Sequence, residues 1–309
     1  MAVEPLTGRR VTHVAEIDPA PTRVLAHHYP TAPNLGDIRS IDWSALVGEV
    51  DTITAGFPCQ GISSAGTRKG LADERSGIWR DVATAVRVIR PDVVFLENVA
   101  ALRSRGLPEV LGDLASIGYD CRWSCVRAAD VGAPHARDRW FGVAVPATED
   151  PHREPWVERV GAAPGQAPRG RTRPQLGGRG RVPAADADSI RRDGRAGERY
   201  PTGGAEPENR RRHSPLAWWG QYGPAVKRWE RITGVPAPAA TEIGPRGGRR
   251  LTAAFAEWMM GLTPGHVTGV EGLTRGQQLK MLGNGVVPQQ AYAAYSALLR
   301  YQVEYPRVP

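Results

Sequence analysis

The sequence has few of the residues that build disulfide frameworks, metal clusters or membrane segments. It contains only three cysteines, Cys59, Cys121 and Cys125, and they lack the spacing and the accompanying His or Cys of a zinc site. No apolar run approaches the ~20 residues that cross a bilayer, and the amino terminus lacks the apolar core of a signal peptide. These absences predict a cytoplasmic protein with free thiols and no bound metal.

The charge is strongly one-sided. A net charge of +8 and a pI near 9.8 favour a polyanionic partner. Lysine is scarce among the 40 basic residues, and abundant Ala, Gly and Pro accompany the arginines, as a high-GC coding bias would also produce. The charge alone therefore does not establish a nucleic-acid partner. The length of 309 residues fits about two domains.

Strands and helices alternate through the first half of the chain. Residues 11–18 read as a strand that ends in acids, and Pro19 then starts a helix. A β-rich run follows at 50–55, a continuous apolar strand at 91–96, and a further strand at 140–145. This alternation predicts a doubly wound α/β sheet. We assign residues 1–150 to this domain.

The composition changes after Pro146. Residues 151–249 are dense in Arg, Gly and Pro and show little periodicity, which predicts a separate and partly disordered domain. Helical patterning returns at 255–260 and 288–301. Residues 250–309 are therefore interpreted as a return to the first domain, with a closing helix.

A cysteine follows the strand at 50–55 in a distinctive setting. Pro58-Cys59-Gln60 lies between Gly56 and Gly61, which places the thiol at the carboxyl end of a strand, where open α/β sheets bind ligands. A small buried core cysteine is the alternative. Residues 63–75, which are small, polar and basic, fit a mobile lid over a phosphate backbone or an ordinary surface loop.

These motifs together resemble those of the DNA (cytosine-5) methyltransferases, and they occur in the family's order. Pro58-Cys59-Gln60 is similar to the nucleophile motif and Glu97-Asn98-Val99 to the second catalytic motif. Arg137-Asp138-Arg139 is similar to the paired-arginine motif, and Gly283-Asn284-Gly285-Val286 to the motif that closes the cofactor site. Residues 250–264 resemble the motif that supports the recognition domain.

The resemblance implies a fold and a cofactor. The fold is a Rossmann-like S-adenosylmethionine-dependent methyltransferase sheet, with a smaller target-recognition domain inserted at residues 151–249. Glu16 and Asp37 stand where the family places its ribose and adenine acids. The implied cofactor-binding residues are Glu16, Ile17, Asp37, Ile38, Pro58, Asn284 and Val286.

The resemblance also implies a mechanism. The Cys59 thiolate adds to C6 of cytosine, which makes C5 nucleophilic enough to accept a methyl group. A protonated Glu97 donates to N3, which requires a raised pKa. Arg139 neutralises O2 and Arg137 steadies the loop, so Cys59, Glu97, Arg137 and Arg139 are the predicted catalytic residues. A surface ion pair with Asp138 is the alternative role for the two arginines.

The implied substrate is double-stranded DNA from which the target cytosine is flipped out. Gln60, Ser63 and Arg75 are the predicted DNA-binding residues, and a monomer associated with the nucleoid is expected. The setting would be a restriction-modification system, with its endonuclease encoded nearby, or a phage. Three alternatives remain: a remnant that only binds DNA, a tRNA methyltransferase on the same scaffold, and a thiol hydrolase.

Two departures from the family pattern matter. His135 stands where a glutamine is usual, on the expected DNA-facing side. The Phe-x-Gly-x-Gly strand and turn that cradles the methionine part of the cofactor is missing, because only residues 1–10 precede the first predicted strand. We therefore expect weakened cofactor binding and low activity in the chain as given.

Overall fold

A computed structural model describes residues 1–58, 77–147 and 219–304. The helices, in chain order, are α1 (Val3–Thr7), α2 (Pro19–His28), α3 (Gly77–Ile89), α4 (Leu102–Arg105), α5 (Leu107–Ser116), α6 (Gly223–Thr233), α7 (Ala253–Met259), α8 (Arg275–Asn284) and α9 (Pro288–Glu304). The strands are β1 (Thr52–Gly56), β2 (Val93–Val99), β3 (Tyr119–Arg127), β4 (Asp138–Pro146), β5 (Thr241–Ile243) and β6 (Arg249–Leu251). Within these ranges, no helix combines the length and the apolar character needed to cross a membrane.

The central sheet has four strands in the order β1-β2-β4-β3. β1 and β2 are parallel, and Gly56 at the end of β1 pairs with Glu97. β4 runs antiparallel to both β2 and β3, so the sheet is mixed. The alternation of strands and helices in the sequence had suggested parallel strands. The connection at residues 128–137 explains the reversal, because a parallel crossover needs a dozen or more residues.

The predicted strand at residues 11–18 is wrong. The structure has only an isolated parallel bridge there, between Val14 and Asn34. Beyond this bridge, the Asn34 side chain makes the hydrogen bonds that a neighbouring strand would make. Its Oδ1 accepts from the Glu16 N–H at 3.0 Å, and its Nδ2 donates to the Glu16 carbonyl at 2.9 Å. A side chain that satisfies the backbone in this way removes the need for a neighbouring strand. The predicted helix after it is confirmed as α2, and the Asp18 side chain caps it.

The sheet is covered on both faces. Val94 and Leu96 of β2 pack into a core with residues of α3 and α5, whereas Val93 and Phe95 pack into a second core with α9. This alternation explains the continuous apolar run at 91–96, since every residue of a strand buried on both faces must be apolar. The prediction of a strand covered on both sides is confirmed.

A third core joins α6 and α7 to the loop between β3 and β4. Trp229 of α6 is fully buried, and its Nε1 donates to the Trp258 carbonyl at 2.9 Å. Arg228 donates to the Gly132 carbonyl at 3.1 Å, and Ala133 belongs to the same core. α6 therefore packs against the loop that leads to Arg137, although its residues fall within the predicted 151–249 domain. The division into domains stays a prediction.

Candidate active site

An acid and an arginine meet at the carboxyl end of β2. Arg139 Nε lies 3.1 Å from Glu97 Oε1, and the two side chains are only 14% and 19% exposed. The other carboxylate oxygen faces the end of β1, because a Cβ built on Gly56 would lie 3.3 Å from Glu97 Oε2. β1 continues into Phe57 and Pro58, so the chain that carries the predicted nucleophile passes directly beside the Glu97 carboxylate.

The electrostatic setting of Glu97 favours its protonated form. Burial raises the pKa of Glu97 above its ordinary value, while Arg139 and, to a smaller extent, Arg137 act in the opposite direction. Burial is the largest of these effects, so the pKa remains raised despite the ion pair. A carboxyl group in this state can act as a proton or hydrogen-bond donor closer to neutral pH than an exposed glutamate can.

Asn98, the next residue of β2, holds the start of the cysteine loop. Asn98 is 3% exposed, and its Nδ2 donates to the Phe57 carbonyl at 2.8 Å. Its Oδ1 accepts from the Val99 N–H at 2.8 Å, which fixes the orientation of the amide. Phe57 is itself anchored against Trp79, with ring centroids 4.8 Å apart. The backbone two residues before Cys59 is therefore fixed by a buried hydrogen bond and an aromatic contact.

We expect Asn98→Ala to lower the free energy of unfolding by about 1–3 kcal/mol, because it leaves a buried Phe57 carbonyl without its donor. Urea denaturation followed by tryptophan fluorescence measures the change. Asn98→Asp is the matched variant, since it keeps the acceptor for the Val99 N–H but cannot donate to Phe57 when ionised. Full stability in both variants would contradict the anchoring role of Asn98.

Arg137 lies two residues before Arg139 and binds the backbone at the carboxyl end of α8. Its Nη2 donates to the Gly283 carbonyl at 2.9 Å and also to the Gly285 carbonyl. Its φ of +34° lies in the left-handed region, which costs on the order of 1–3 kcal/mol for a residue other than glycine. Burial, with a smaller contribution from Arg139, lowers the pKa of Arg137 to about 10, so it stays a cation at neutral pH.

The alternative of a surface ion pair with Asp138 does not describe these arginines. Arg139 binds the Glu97 carboxylate, and its Nη1 donates to the backbone carbonyl of Asp138 at 3.1 Å. Arg137 binds two backbone carbonyls, as described above. His135, expected on the DNA-facing side, is partly buried, with its Nε2 2.9 Å from the Met259 carbonyl. The same burial lowers the pKa of His135, which favours the neutral ring.

Two of the predicted cofactor residues, Glu16 and Ile17, precede α2. Ile17 is 64% exposed, which is unusual for a large apolar side chain. Glu16 Oε1 accepts from the Asp18 N–H at 2.7 Å, so its carboxylate is held at the start of the helix. Asp18 Oδ2 also lies 2.9 Å from the Nζ of Lys280. Lys280 is in α8, one helical turn before Asn284. This ion pair links the Glu16 segment to the helix that ends at Asn284.

The predicted adenine acid is already bound by a neighbour. Arg39 holds the Asp37 carboxylate, with Nη2 2.6 Å from Oδ2 and Nε 3.0 Å from Oδ1. These contacts, together with the Arg39 backbone N–H, lower the pKa of Asp37 to about 2, so the group is an anion at neutral pH. Gly36 N–H donates to Asn34, the residue that also binds Glu16. The Asn34 side chain therefore binds the backbone of Glu16 and that of Gly36, the residue before Asp37.

The other predicted cofactor residues lie at different depths. Pro58 and Asn284 are exposed, and Asn284 is the last residue of α8. Ile38 is partly buried against the core shared by α3 and the sheet, whereas Val286 packs against the core shared by α9 and the sheet. Asn284 and Val286 flank Gly285, whose carbonyl Arg137 binds. The two ends of the predicted cofactor site are thus positioned by different cores.

Several predicted residues lie outside the described part of the chain. These are Cys59, Gln60, Ser63 and Arg75, together with residues 151–218 of the predicted recognition domain. Their assignments as nucleophile and as DNA contacts stay predictions. The described neighbours that bear on them are Gly56, Phe57 and Asn98.

Sequence reasoning missed three residues that shape the site. Gly56 leaves room for the Glu97 carboxylate, Asn98 anchors the cysteine loop, and the buried Gln290 of α9 binds the Arg137 carbonyl. Gly56 and Asn98 stand within the predicted motifs but had no role assigned to them, whereas Gln290 lies outside the motifs and left a different signal. It lies four and five positions before Ala294 and Tyr295, on the buried face of a helix, where a polar side chain is unexpected.

Two known methyltransferases are similar in sequence to part of this chain. The chain is 37% identical over 131 residues to the type II methyltransferase M.CviJI of Paramecium bursaria Chlorella virus IL3A, covering 42% of this chain and 36% of that protein. It is 39% identical over 155 residues to a DNA N-6-adenine-methyltransferase of Escherichia phage P1, covering 46% of this chain and 20% of that protein. The matched stretch therefore spans about a third or less of these relatives.

A solved structure supports the fold. The S. pombe Dnmt2 methyltransferase has a TM-score of 0.56 and 14% identity, over 98% of this chain and 95% of that one. The predicted Rossmann-like methyltransferase fold is thereby confirmed. The sequence model of the C-5 cytosine-specific DNA methylase family matches residues 6–164, more than half of the 309 residues. On that match, the chain belongs to the C-5 cytosine-specific DNA methylase family.

Proposed function

We propose that this protein transfers a methyl group from S-adenosylmethionine to C5 of cytosine in double-stranded DNA. The observation that carries the proposal is the Glu97–Arg139 pair at the carboxyl end of β2, beside the strand that leads to Pro58 and Cys59. Cytosine methylation at C5 needs a nucleophile for C6, a proton donor for N3 and a cation near O2. The family motifs supply one candidate of each kind, and the two that the structure describes, Glu97 and Arg139, lie at this edge of the sheet.

Each side chain has a defined task in the proposed reaction. The Cys59 sulfur would form a bond to C6 of the flipped base, and C5 would then take the methyl group of S-adenosylmethionine, with S-adenosylhomocysteine as the leaving group. Transfer of the C5 proton to water would break the C6–S bond and release the thiolate. The protonated Glu97 donates to N3 while charge builds on the ring, and the guanidinium of Arg139 lies next to it to stabilise O2. Arg137 binds the turn at residues 283–285. It also adds a second positive charge close to Arg139.

The residues around Ile17 fit an adenosine. The exposed aliphatic side chain of Ile17 offers a surface for a purine, and the carboxylates of Glu16 and Asp37 offer acceptors for ribose hydroxyls and an exocyclic amine. Glu16, Ile17, Asp37 and Ile38 would hold the adenosine, with Pro58, Asn284 and Val286 closing the site. When bound, S-adenosylmethionine supplies an electrophilic methyl group. Arg39 already binds both carboxylate oxygens of Asp37, with its backbone N–H and Nε at Oδ1 and with Nε and Nη2 at Oδ2, so an adenine amine would compete with Arg39 for this group.

The hairpin of β5 and β6 supports a DNA partner. Arg246 at its tip and Arg249 on β6 are exposed, while Glu242 binds Arg250 at 2.8 Å and Arg275 at 3.4 Å. This ion-pair cluster fixes the base of the hairpin to the start of α8. Two exposed arginines on an anchored hairpin suit phosphate contacts, which would weaken as salt is raised. We propose residues 151–249 as the recognition domain.

The biological setting follows from the same proposal. We propose a monomeric, cytoplasmic, nucleoid-associated enzyme of a restriction-modification system or a phage, with a cognate endonuclease in the first case. The viral source of the M.CviJI relative and the phage source of the other are consistent with either setting.

A methyl-incorporation assay tests the function. The protein is incubated with radiolabelled S-adenosylmethionine and duplex DNA, with tRNA as a parallel substrate, and the products are hydrolysed and identified. We expect label in 5-methylcytosine from DNA. Label in N6-methyladenine, or in tRNA alone, would refute the proposal. DNA binding with no cofactor binding would instead identify a DNA-binding remnant.

A further inference from the structure

Gln290 is a buried polar residue on an otherwise apolar face of α9. It is fully buried, and the neighbours on its face are Ala291, Ala294, Tyr295 and Leu298. A glutamine in such a position loses its hydration and needs hydrogen bonds in return. Its Oε1 has no partner among the described residues, so only the amide nitrogen compensates this loss. An apolar side chain would suit the core better, which points to a role beyond packing.

The Gln290 amide nitrogen joins the end of β3 to the residue that precedes β4. It donates to the Val126 carbonyl at 2.6 Å and to the Arg137 carbonyl at 2.8 Å. Val126 lies near the end of β3, and Arg137 immediately precedes β4. The two hydrogen bonds of one NH₂ group therefore fix the point where the chain re-enters the sheet.

Arg137, whose carbonyl Gln290 binds, has a strained backbone conformation. Arg137 has a φ of +34°, and its guanidinium binds the carbonyls of Gly283 and Gly285. A left-handed conformation at a non-glycine residue persists only where its surroundings impose it. Gln290 binds the carbonyl of that same residue, so it acts on the backbone whose side chain holds the 283–285 turn.

We propose that Gln290 is a positioning residue that imposes the conformation of Arg137 and thereby orders the turn carrying Asn284 and Val286. The role of that turn in cofactor binding rests on the proposed function; the ordering of the turn does not. Gln290 touches neither cofactor nor base. Its effect passes through Arg137 to the predicted cofactor residues on one side and to Arg139 on the other.

The adjacent residue provides a closely matched control. Gln289 also has a buried Oε1 without a described partner, and its Nε2 donates to a backbone carbonyl, that of Gly261, at 2.9 Å. Gln289→Met and Gln290→Met thus each remove, from the same turn of α9, a side-chain amide that donates to a backbone carbonyl. Only the second removes a contact with Arg137.

Amide hydrogen exchange provides a test that requires no activity. Gly285 N–H is bonded to the Met281 carbonyl at 2.8 Å, so its exchange reports the order of the turn. We expect exchange in a peptide covering residues 281–287 to be about tenfold faster in Gln290→Met than in Gln289→Met, on the scale of one lost hydrogen bond. Equal exchange in the two variants would overturn the inference, whether or not the wild-type protein transfers methyl groups.

A second variant covers the case in which Gln290→Met fails to fold. Gln290→Glu keeps the shape of the side chain. Its neutral carboxyl donates one hydrogen bond, whereas its ionised form repels both carbonyls. We expect the exchange of the turn, relative to wild type at each pH, to accelerate as pH rises through the pKa of this new carboxyl. A pH-independent ratio would count against the inference.

A double-mutant cycle then connects the inference to catalysis. We expect Gln290→Met to raise the cofactor Kd and to have little further effect in an Arg137→Met background, because residues acting through one contact are not additive. Additive losses would show that Gln290 acts independently of Arg137 and would overturn the proposed route. An inactive wild-type protein would refute the proposed function and leave the exchange result to decide on Gln290.

Discussion

Replacing Cys59 with serine should give a protein that still binds DNA but transfers no methyl groups. A hydroxyl is a far weaker nucleophile than a thiolate at neutral pH, so addition to C6 fails. We expect a loss of at least about 10³-fold in turnover, which corresponds to about 4 kcal/mol in the activation barrier. Methyl incorporation measures the loss, and a gel-shift assay with the same duplex measures the binding.

The two cysteines of β3 provide the control for this experiment. Burial raises the pKa of Cys121 to about 12 and raises the pKa of Cys125 above its usual value, so both remain thiols at neutral pH. Cys121→Ser and Cys125→Ser should therefore keep the activity of the wild type, apart from any change in stability. Near-normal turnover in Cys59→Ser, or its loss in a β3 variant with normal stability, would refute the assignment of the nucleophile.

Replacing Glu97 with glutamine should produce the second large effect. The amide can still donate a hydrogen bond, but it cannot deliver a proton to N3 as charge develops. General acid catalysis contributes about 10²–10⁴-fold, and we expect kcat to fall by that amount. Glutamine keeps an oxygen that can accept from Arg139, whose Nε lies 3.1 Å from Glu97 Oε1, so the main loss is that of the transferable proton. Turnover with saturating DNA and cofactor isolates this loss from changes in binding.

The pH profile tests the same assignment. The protonated form of Glu97 is the active donor, so activity should be present below its pKa and decline as pH rises through it. Burial raises that pKa, which moves the decline toward neutral pH. The decline should be absent in Glu97→Gln, whose amide does not titrate. An identical decline in wild type and variant would assign it to another group.

The sequence by itself determined the family and most of the local structure. The apolar runs predicted β1, β2 and β4 close to their observed bounds, because each pattern depends on residues within a few positions of one another. The order of the Pro-Cys, Glu-Asn-Val and Arg-Asp-Arg motifs indicated the family that the match over residues 6–164 confirms. The mixed direction of the sheet was not predicted, since strand periodicity is the same in parallel and antiparallel ladders.

Only the tertiary structure decided how these residues work together. Arg137 binds a carbonyl 146 positions away, and Gln290 binds the carbonyl of Arg137 across 153 positions. The raised pKa of Glu97 depends on burial beneath elements that are remote in sequence, and the exposure of Ile17 depends on what the fold leaves uncovered. Local patterns carry no information about such contacts, because burial and hydrogen-bond partners exist only after distant segments have packed.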